Sequence, residues 1–404
     1  MAGVMKGPDQ LILSAGLRTR TDAAGHVLIE VDLGREIDAG PHGYRILGVL
    51  STPRTLGEIV AGLRTEFADG TNLMPAMAVL NGLVDSDALV PVGSEPTSGT
   101  GWSDPAEQGR MLHDDRRTSD FLAAIAEGVG PGDVVVDLGT GSGVLAVAAA
   151  RAGARHVYAI EATDIADVAE RVFEVNGVGD RVTLVRGWSH DVELPERADV
   201  LVTETIGSEP LEEDILGAVL DARKRMLRPG ATLIPNRLRL LARPLLLPDP
   251  AARQRSIGPS AVARWRRLYG IDFQPLLDAA FPEPLQDPVE AETAALWPPV
   301  GSAVVLASID LATFEAPQVE ASAALRVDPP GTVNAVAVTF RADLFGEIEH
   351  TLDPWRWPQS SWATSVWVFP EPVMVGDDEE LAISYRHHVS RSTDGLTCEV
   401  RRRA

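Results

Sequence analysis

The chain has 404 residues, and 58 Asp and Glu against 36 Lys and Arg leave a formal charge of −22 at pH 7. That balance argues against a nucleic-acid backbone and an anionic membrane surface as partners, since both would be repelled, and it favours cationic ones. An apolar content of 45% allows packed cores in two or three domains, and a lone cysteine, Cys398, forms no internal disulfide, which fits a reducing compartment.

The first residues, MAGVMKGPDQ, carry no apolar signal core, and no stretch approaches ~18 uninterrupted apolar residues, so a cytoplasmic protein is expected. Short strands are expected over Leu17–Thr21 and Val27–Val31, with Asp22–Gly25 as their turn. Three helical patterns follow. The first covers about Pro41–Leu50. The second starts at Thr55, where Glu58 completes a capping box and Leu56, Ile59, Val60 and Leu63 share a face. The third carries Met74, Met77, Val79, Leu80, Leu83 and Val84. Residues 1–92 make one domain and 93–104 a linker, centred on the polar run Gly93–Gly101. With TPRTLGEIVAGL and LNGLVDSDALV, this order resembles the PqqD-like fold, a winged-helix unit also called a RiPP recognition element. The resemblance implies that the leader of a ribosomally made precursor peptide adds as an extra strand against the third helix. A winged helix used for DNA binding or domain packing is the alternative, and the acidic charge weakens its DNA form.

Residues 105–236 alternate strand and helix. Val134–Leu138, His156–Glu161, Val182–Val185 and Asp199–Thr203 read as strands, with helices near Gly143–Ala152, Ile165–Asn176 and Glu213–Leu227. That is a doubly wound α/β pattern with a parallel, Rossmann-like sheet. Within it, VVVDLGTGSG ends a buried strand at Asp137 and places Gly139, Gly141 and Gly143 at alternate positions before a helix. A dinucleotide fingerprint counted from Gly139 would need its third glycine at Val144, and counted from Gly141 it reaches Ala146. The D-x-G-x-G-x-G arrangement is that of class I S-adenosylmethionine (SAM) methyltransferases. Glu161, ending the next strand, stands where an acid would hold the ribose hydroxyls.

The last third, 237–404, consists of short alternating runs: Val304–Asp310, Val333–Phe340, Ser365–Phe369, Glu380–Tyr385 and Thr397–Arg401. They suggest an antiparallel β-barrel or sandwich, preceded by a helical stretch at about Ala261–Ala280. From Met111 onward the chain resembles protein arginine methyltransferases. MLHDDRRT (111–118) is similar to their M-L-x-D-x-x-R-T element, which implies that Met111 and Arg117 border SAM and that Arg117 pairs with its carboxylate. RGWSHDVELP is similar to the element that borders adenine, which implies that role for Ser189 and His190, although His190 replaces the usual Glu. WRRLYGIDFQPLL resembles the family's dimerisation arm (about 258–285), implying a homodimer, and VVLASIDLAT resembles the start of its barrel. No metal is expected: a sulfonium methyl donor needs none, and the adjacent His387 and His388 point to opposite faces of a strand.

The stretch TETIGSEPLEED (203–214) places Glu204 and Glu213 nine positions apart. It resembles the family's double-E loop, which implies that these two carboxylates hold the acceptor by charge-assisted bonds. Glu209 and Glu212 are expected on a solvated face, and Glu213 and Asp214 could also serve as first-turn acids of the next helix. Two family features are missing. Ser360-Ser361-Trp362 stands in place of a T-H-W motif, and GTGWSDPAEQGR lacks the tyrosines that line the arginine pocket. The leading expectation is therefore a SAM-dependent N-methyltransferase acting on the amine of a ribosomally made peptide, with a daptide-like, dimethylated C-terminal amine as an example. A protein arginine N-methyltransferase is the first alternative and a non-catalytic leader-peptide scaffold the second.

Overall fold

The computed structural model describes residues 10–13, 18–21, 26–32, 35–50, 54–68, 72–85, 88–91, 101–279, 284–388 and 392–403. Leu17, the Asp22–Gly25 turn and residues 93–100 of the expected linker lie outside the described residues. The chain divides into two compact units, Met1–Gln108 with Thr163–Ile165, and Gly109–Ala162 with Ala166–Ala404.

In the first unit, Arg18–Thr21, Val27–Asp32 and Arg35–Asp38 form an antiparallel sheet. Gln10–Leu13 forms a second sheet between Arg54–Thr55 and Leu89–Pro91. The three expected helices are Gly43–Leu50, Leu56–Glu66 and Leu73–Asp85. The second starts as its sequence dictates: the Glu58 carboxylate accepts the Thr55 N–H at 2.8 Å, and the Thr55 hydroxyl accepts the Glu58 N–H at 3.3 Å. Ile46, Leu50, Ile59, Leu63, Leu80 and Leu83 close a core over Val27 and Ile29. The second small sheet was not expected, because strands this short carry no readable alternation.

The second unit is built on a parallel five-stranded sheet in the order Leu227–Ile234, Ala198–Thr203, Val134–Leu138, His156–Glu161, Val182–Arg186. Val134–Leu138 is buried along its whole length, as a central strand covered on both faces must be. Leu227–Ile234 corrects the expectation of a helix running to Leu227, since the helix ends at Arg225. Pro229 and Gly230 hid this strand from the sequence. The ladder accommodates them by shifting register between Ala198 and Val200. Neighbouring strands Val134–Leu138 and Ala198–Thr203 run outward to opposite sides in chain order, so the topological switch point lies between them. Ligand crevices of open α/β sheets form at the carboxyl ends of such strands.

The C-terminal strands are antiparallel and barrel-like. One sheet runs Leu285–Val289, Thr364–Val375, Gly331–Phe345, Arg237–Leu245, Val304–Asp310, with Ile348–Thr351 also on Gly331–Phe345. A second holds Val319–Leu325, Glu379–His388 and Ser392–Arg402. Leu238, Leu240 and Ala242 point inward at alternate positions of Arg237–Leu245. The resemblance-derived arm is helical at Pro259–Tyr269, closed by Gly270 at φ +69°, and again at Gln274–Ala279.

Candidate active site

The strand Val134–Leu138 opens into the glycine turn. Gly139, Gly141 and Gly143 have φ of +74°, +54° and +87°, the left-handed region that side chains disfavour. A Cβ on Gly139 would lie 2.8 Å from Thr205 Cγ2, and one on Gly143 2.5 Å from the Phe173 ring. The turn is held down by the Ile160 carbonyl, which accepts the Gly139 and Thr140 N–H groups at 3.0 and 2.9 Å. Beneath it, Asp137 is fully buried and accepts the Thr140 hydroxyl at 2.5 Å. Burial pushes its carboxyl up to about 7, against the pull of that hydrogen bond, and Glu161 adds to the rise. Asp137 Oδ1 is buried and has no hydrogen-bond partner among the described residues. Glu161 closes the other side, its carboxylate accepting the Gly141 N–H at 2.8 Å. An orphaned acceptor at the base, a second carboxylate at the rim and a backbone stripped of side chains fit a ligand bearing an ammonium and a diol.

On the adjoining strand, the Thr203 hydroxyl donates to the Leu138 carbonyl at 2.9 Å, so the acidic loop leaves the sheet beside the glycine turn. Glu204, 8% exposed, pairs with the guanidinium of Arg117. Asp114 fixes where Arg117 starts: as N-cap of helix Asp115–Gly128, its carboxylate accepts the Arg117 N–H at 2.9 Å. The Arg117 guanidinium also donates to the Met111 carbonyl at 3.4 Å and lies 5.2 Å from the Trp362 ring centre. Burial lowers Arg117 to about 10, with Asp114 and Glu213 opposing the drop. Burial also pushes the Glu213 carboxyl up to about 8, helped by Glu212 and opposed by Arg117. Of the two expected carboxylates, Glu204 pairs with this guanidinium, and the charge of Glu213 favours its protonated form.

The loop's remaining acids divide differently from the expectation. Asp214, at φ +57°, is the N-cap of Ile215–Arg225, and its carboxylate accepts the Gly217 N–H at 3.2 Å. Capping thus falls to Asp214, and the helix begins two residues later than expected, leaving Glu213 outside it. Glu212 is exposed, but Glu209 has no accessible surface. Its carboxylate accepts the Tyr385 hydroxyl at 2.5 Å and the Leu211 N–H at 3.1 Å. The solvated reading of Glu209 is corrected. Its partner lies 176 residues away, beyond the reach of any local pattern.

Other contacts went unseen in the sequence. The Ser361 N–H donates to the Asp114 carboxylate at 2.9 Å, and the Trp362 indole N–H donates to the Ile206 carbonyl at 2.6 Å. His350, 2% exposed, pairs with Asp120 at 2.8 Å with its ring 5.2 Å from that of Trp362. Ser189 and His190 lie on the loop after the edge strand Val182–Arg186. The Ser189 carbonyl accepts from Arg225 at 2.8 Å, and exposed His190 stacks on Trp188. Among the described residues no His, Cys, Asp and Glu cluster could hold a metal ion, and no helix is long and apolar enough to cross a membrane.

Comparison with known proteins converges on the same region. A family model described as ribosomal protein L11 methyltransferase (PrmA) matches residues 115–234. The probable protein arginine N-methyltransferase 6 of Arabidopsis thaliana is 36% identical over 196 residues, 47% of this chain and 43% of the relative. The chain spans about half the length of the curated relatives it matches. Among solved structures, the Trypanosoma brucei PRMT1 enzyme–prozyme heterotetrameric complex with AdoHcy has a TM-score of 0.61 at 22% identity, covering 76% of this chain and 100% of that one. Arabidopsis thaliana protein arginine methyltransferase 10 has a TM-score of 0.61 at 24% identity, covering 74% and 94%. These likenesses favour the arginine alternative over the peptide-amine expectation, and they show no precursor-peptide partner. Fold and sequence together make the matched half of the chain a class I SAM-dependent methyltransferase domain resembling those of protein arginine methyltransferases.

Proposed function

We propose that the chain is a protein arginine N-methyltransferase. The observation that carries this reading is the acidic loop's hold on a guanidinium: Glu204, 8% exposed, pairs with that of Arg117. A loop that holds one guanidinium has the charge and planar acceptor geometry for another. In this reading Asp137, Gly139, Gly141, Gly143 and Glu161 hold SAM, Met111 and Arg117 face its methionine end, and Ser189 and His190 its adenine edge. When bound, SAM supplies a methyl group on a sulfonium. Glu204 and Glu213 neutralise and orient the acceptor guanidinium, leaving its third nitrogen directed toward the glycine turn. Positioning of this kind supplies most of the acceleration in an in-line transfer. The methylated nitrogen loses one proton, and Glu213, held near 8, is matched to receive it.

The test is a methyl-transfer assay with labelled SAM and three peptides: one bearing arginine, its lysine variant, and one ending in a C-terminal amine. Label on the arginine peptide alone, abolished by Glu204→Gln, is the expected result. Label only on the amine-terminated peptide would overturn the arginine reading in favour of the peptide-amine one.

The N-terminal unit supports a second proposal, peptide recognition by strand addition. Among the described residues Arg35–Asp38 is an edge strand, and helix Leu73–Asp85 packs beside it, with the Gly82 Cβ position 3.3 Å from Ile37. Hydrogen exchange should show the 35–38 amides becoming protected when a substrate peptide binds. Unchanged exchange at saturating peptide counts against it.

A further inference from the structure

We propose that Tyr385 and Glu209 form a latch through which the C-terminal sheet sets the position of the acidic loop, making them positioning residues for methyl transfer. The inference rests on the acidic loop being the acceptor site. The loop between Glu204 and Glu213 is pinned twice, by Trp362 just ahead of strand Thr364–Val375 and by Tyr385 on strand Glu379–His388. The Trp362 indole N–H donates to the Ile206 carbonyl at 2.6 Å, and the Tyr385 hydroxyl donates to the Glu209 carboxylate at 2.5 Å. Both pins fall between the two acceptor-binding carboxylates, on either side of Gly207. Glu209 has no accessible surface, and Tyr385, on strand Glu379–His388, is fully buried as well. Packing alone would be served by an apolar residue at 209. A carboxylate taken out of water is tolerated only where donors meet it. Here they come from two directions, Tyr385 from the sheet and Leu211 N–H from the loop itself. The Tyr385 hydroxyl is held far above its ordinary titration range, first by burial and then by Glu209, so it stays a donor at every working pH. Gly207 leaves the loop no slack, since a Cβ there would lie 2.3 Å from Glu212 Cγ and 2.8 Å from the Glu209 carbonyl oxygen. Loss of the hydroxyl therefore shifts the whole loop.

The test uses the full chain with Tyr385→Phe, which keeps the ring and removes one oxygen, and Glu209→Gln as a second variant that keeps an acceptor for Tyr385. Tyr385→Phe is expected to lower kcat on the arginine peptide by about tenfold or more. SAM affinity by calorimetry should stay within about twofold, and the rising limb of the pH–rate profile should shift. Glu209→Gln should fall between wild type and Tyr385→Phe. Hydrogen exchange over residues 204–213 should quicken in Tyr385→Phe. An unchanged kcat, pH profile and exchange rate in Tyr385→Phe would overturn the latch. A wild-type chain that ignores the arginine peptide sinks the functional reading alone, because the exchange measurement still decides the latch.

Discussion

Two neighbouring acids, Glu213 and Asp214, part company because one is desolvated and the other caps a helix. Burial and Glu212 hold the Glu213 carboxyl up at about 8. Below that pH it is neutral and above it charged, and only the charged form pairs with a guanidinium. We predict that kcat/KM rises as pH increases through about 8, and that Glu213→Gln abolishes this limb and lowers kcat by ~10²–10³-fold. A flat profile in the wild type would refute the assignment. The same shift fixes a stability prediction. A carboxyl whose folded pKa is raised destabilises the fold only once it must ionise, so the penalty is absent below the unfolded value of 4.5 and complete above about 8. Glu213→Gln should therefore match wild type in thermal melts near pH 4 and melt higher at pH 9. Asp137 and Glu161 could be proposed from the sequence because each stands at or near a strand end beside the glycine pattern, and Glu204 and Glu213 because their loop resembles the double-E loop. Glu209 could not, because its surroundings come from a strand 176 positions away.

Glycines govern the elements that meet at the site, and each does so differently. Gly143, at φ +87° with no room against Phe173, shapes the glycine turn proposed to hold SAM, whereas Gly207 permits a close approach inside the acidic loop. Gly143→Ala combines backbone strain of about 1–3 kcal/mol with a clash, so it should weaken SAM binding in calorimetry. Gly207→Ala should leave that affinity near wild type and lower kcat at least ~10-fold by displacing Glu204 and Glu213. Equal effects of the two on SAM affinity would contradict this division. Element boundaries were legible where local chemistry sets them, as at the Thr55–Glu58 capping box. They were not where tertiary pairing overrides local preference. Leu227–Ile234 contains Pro229 and Gly230 and is a strand because Ala198–Thr203 offers it a parallel partner.

For the whole molecule, the arm carries Leu268, Tyr269, Ile271 and Leu276 at 54, 61, 53 and 47% exposure, more apolar surface than one stretch ordinarily leaves to water. Trp265 and Phe273 meet edge to face at 5.8 Å and brace its bend. We propose that a second copy covers this surface. Light scattering should find a dimer in the wild type and a monomer after Leu268→Asp with Ile271→Asp. A monomeric wild type would end the proposal.

The sequence by itself determined the parallel sheet, the glycine turn with its two carboxylates, and the nine-residue spacing of Glu204 and Glu213. Each rests on periodicity or on short fixed intervals along the chain. Only the tertiary structure decided which acid of the loop pairs with the Arg117 guanidinium, which one caps, and which one is buried beneath a tyrosine. Burial and hydrogen bonding depend on residues brought together from distant strands. The switch point between Val134–Leu138 and Ala198–Thr203 gathers the glycine turn and the acidic loop into one crevice, and no local pattern encodes that meeting.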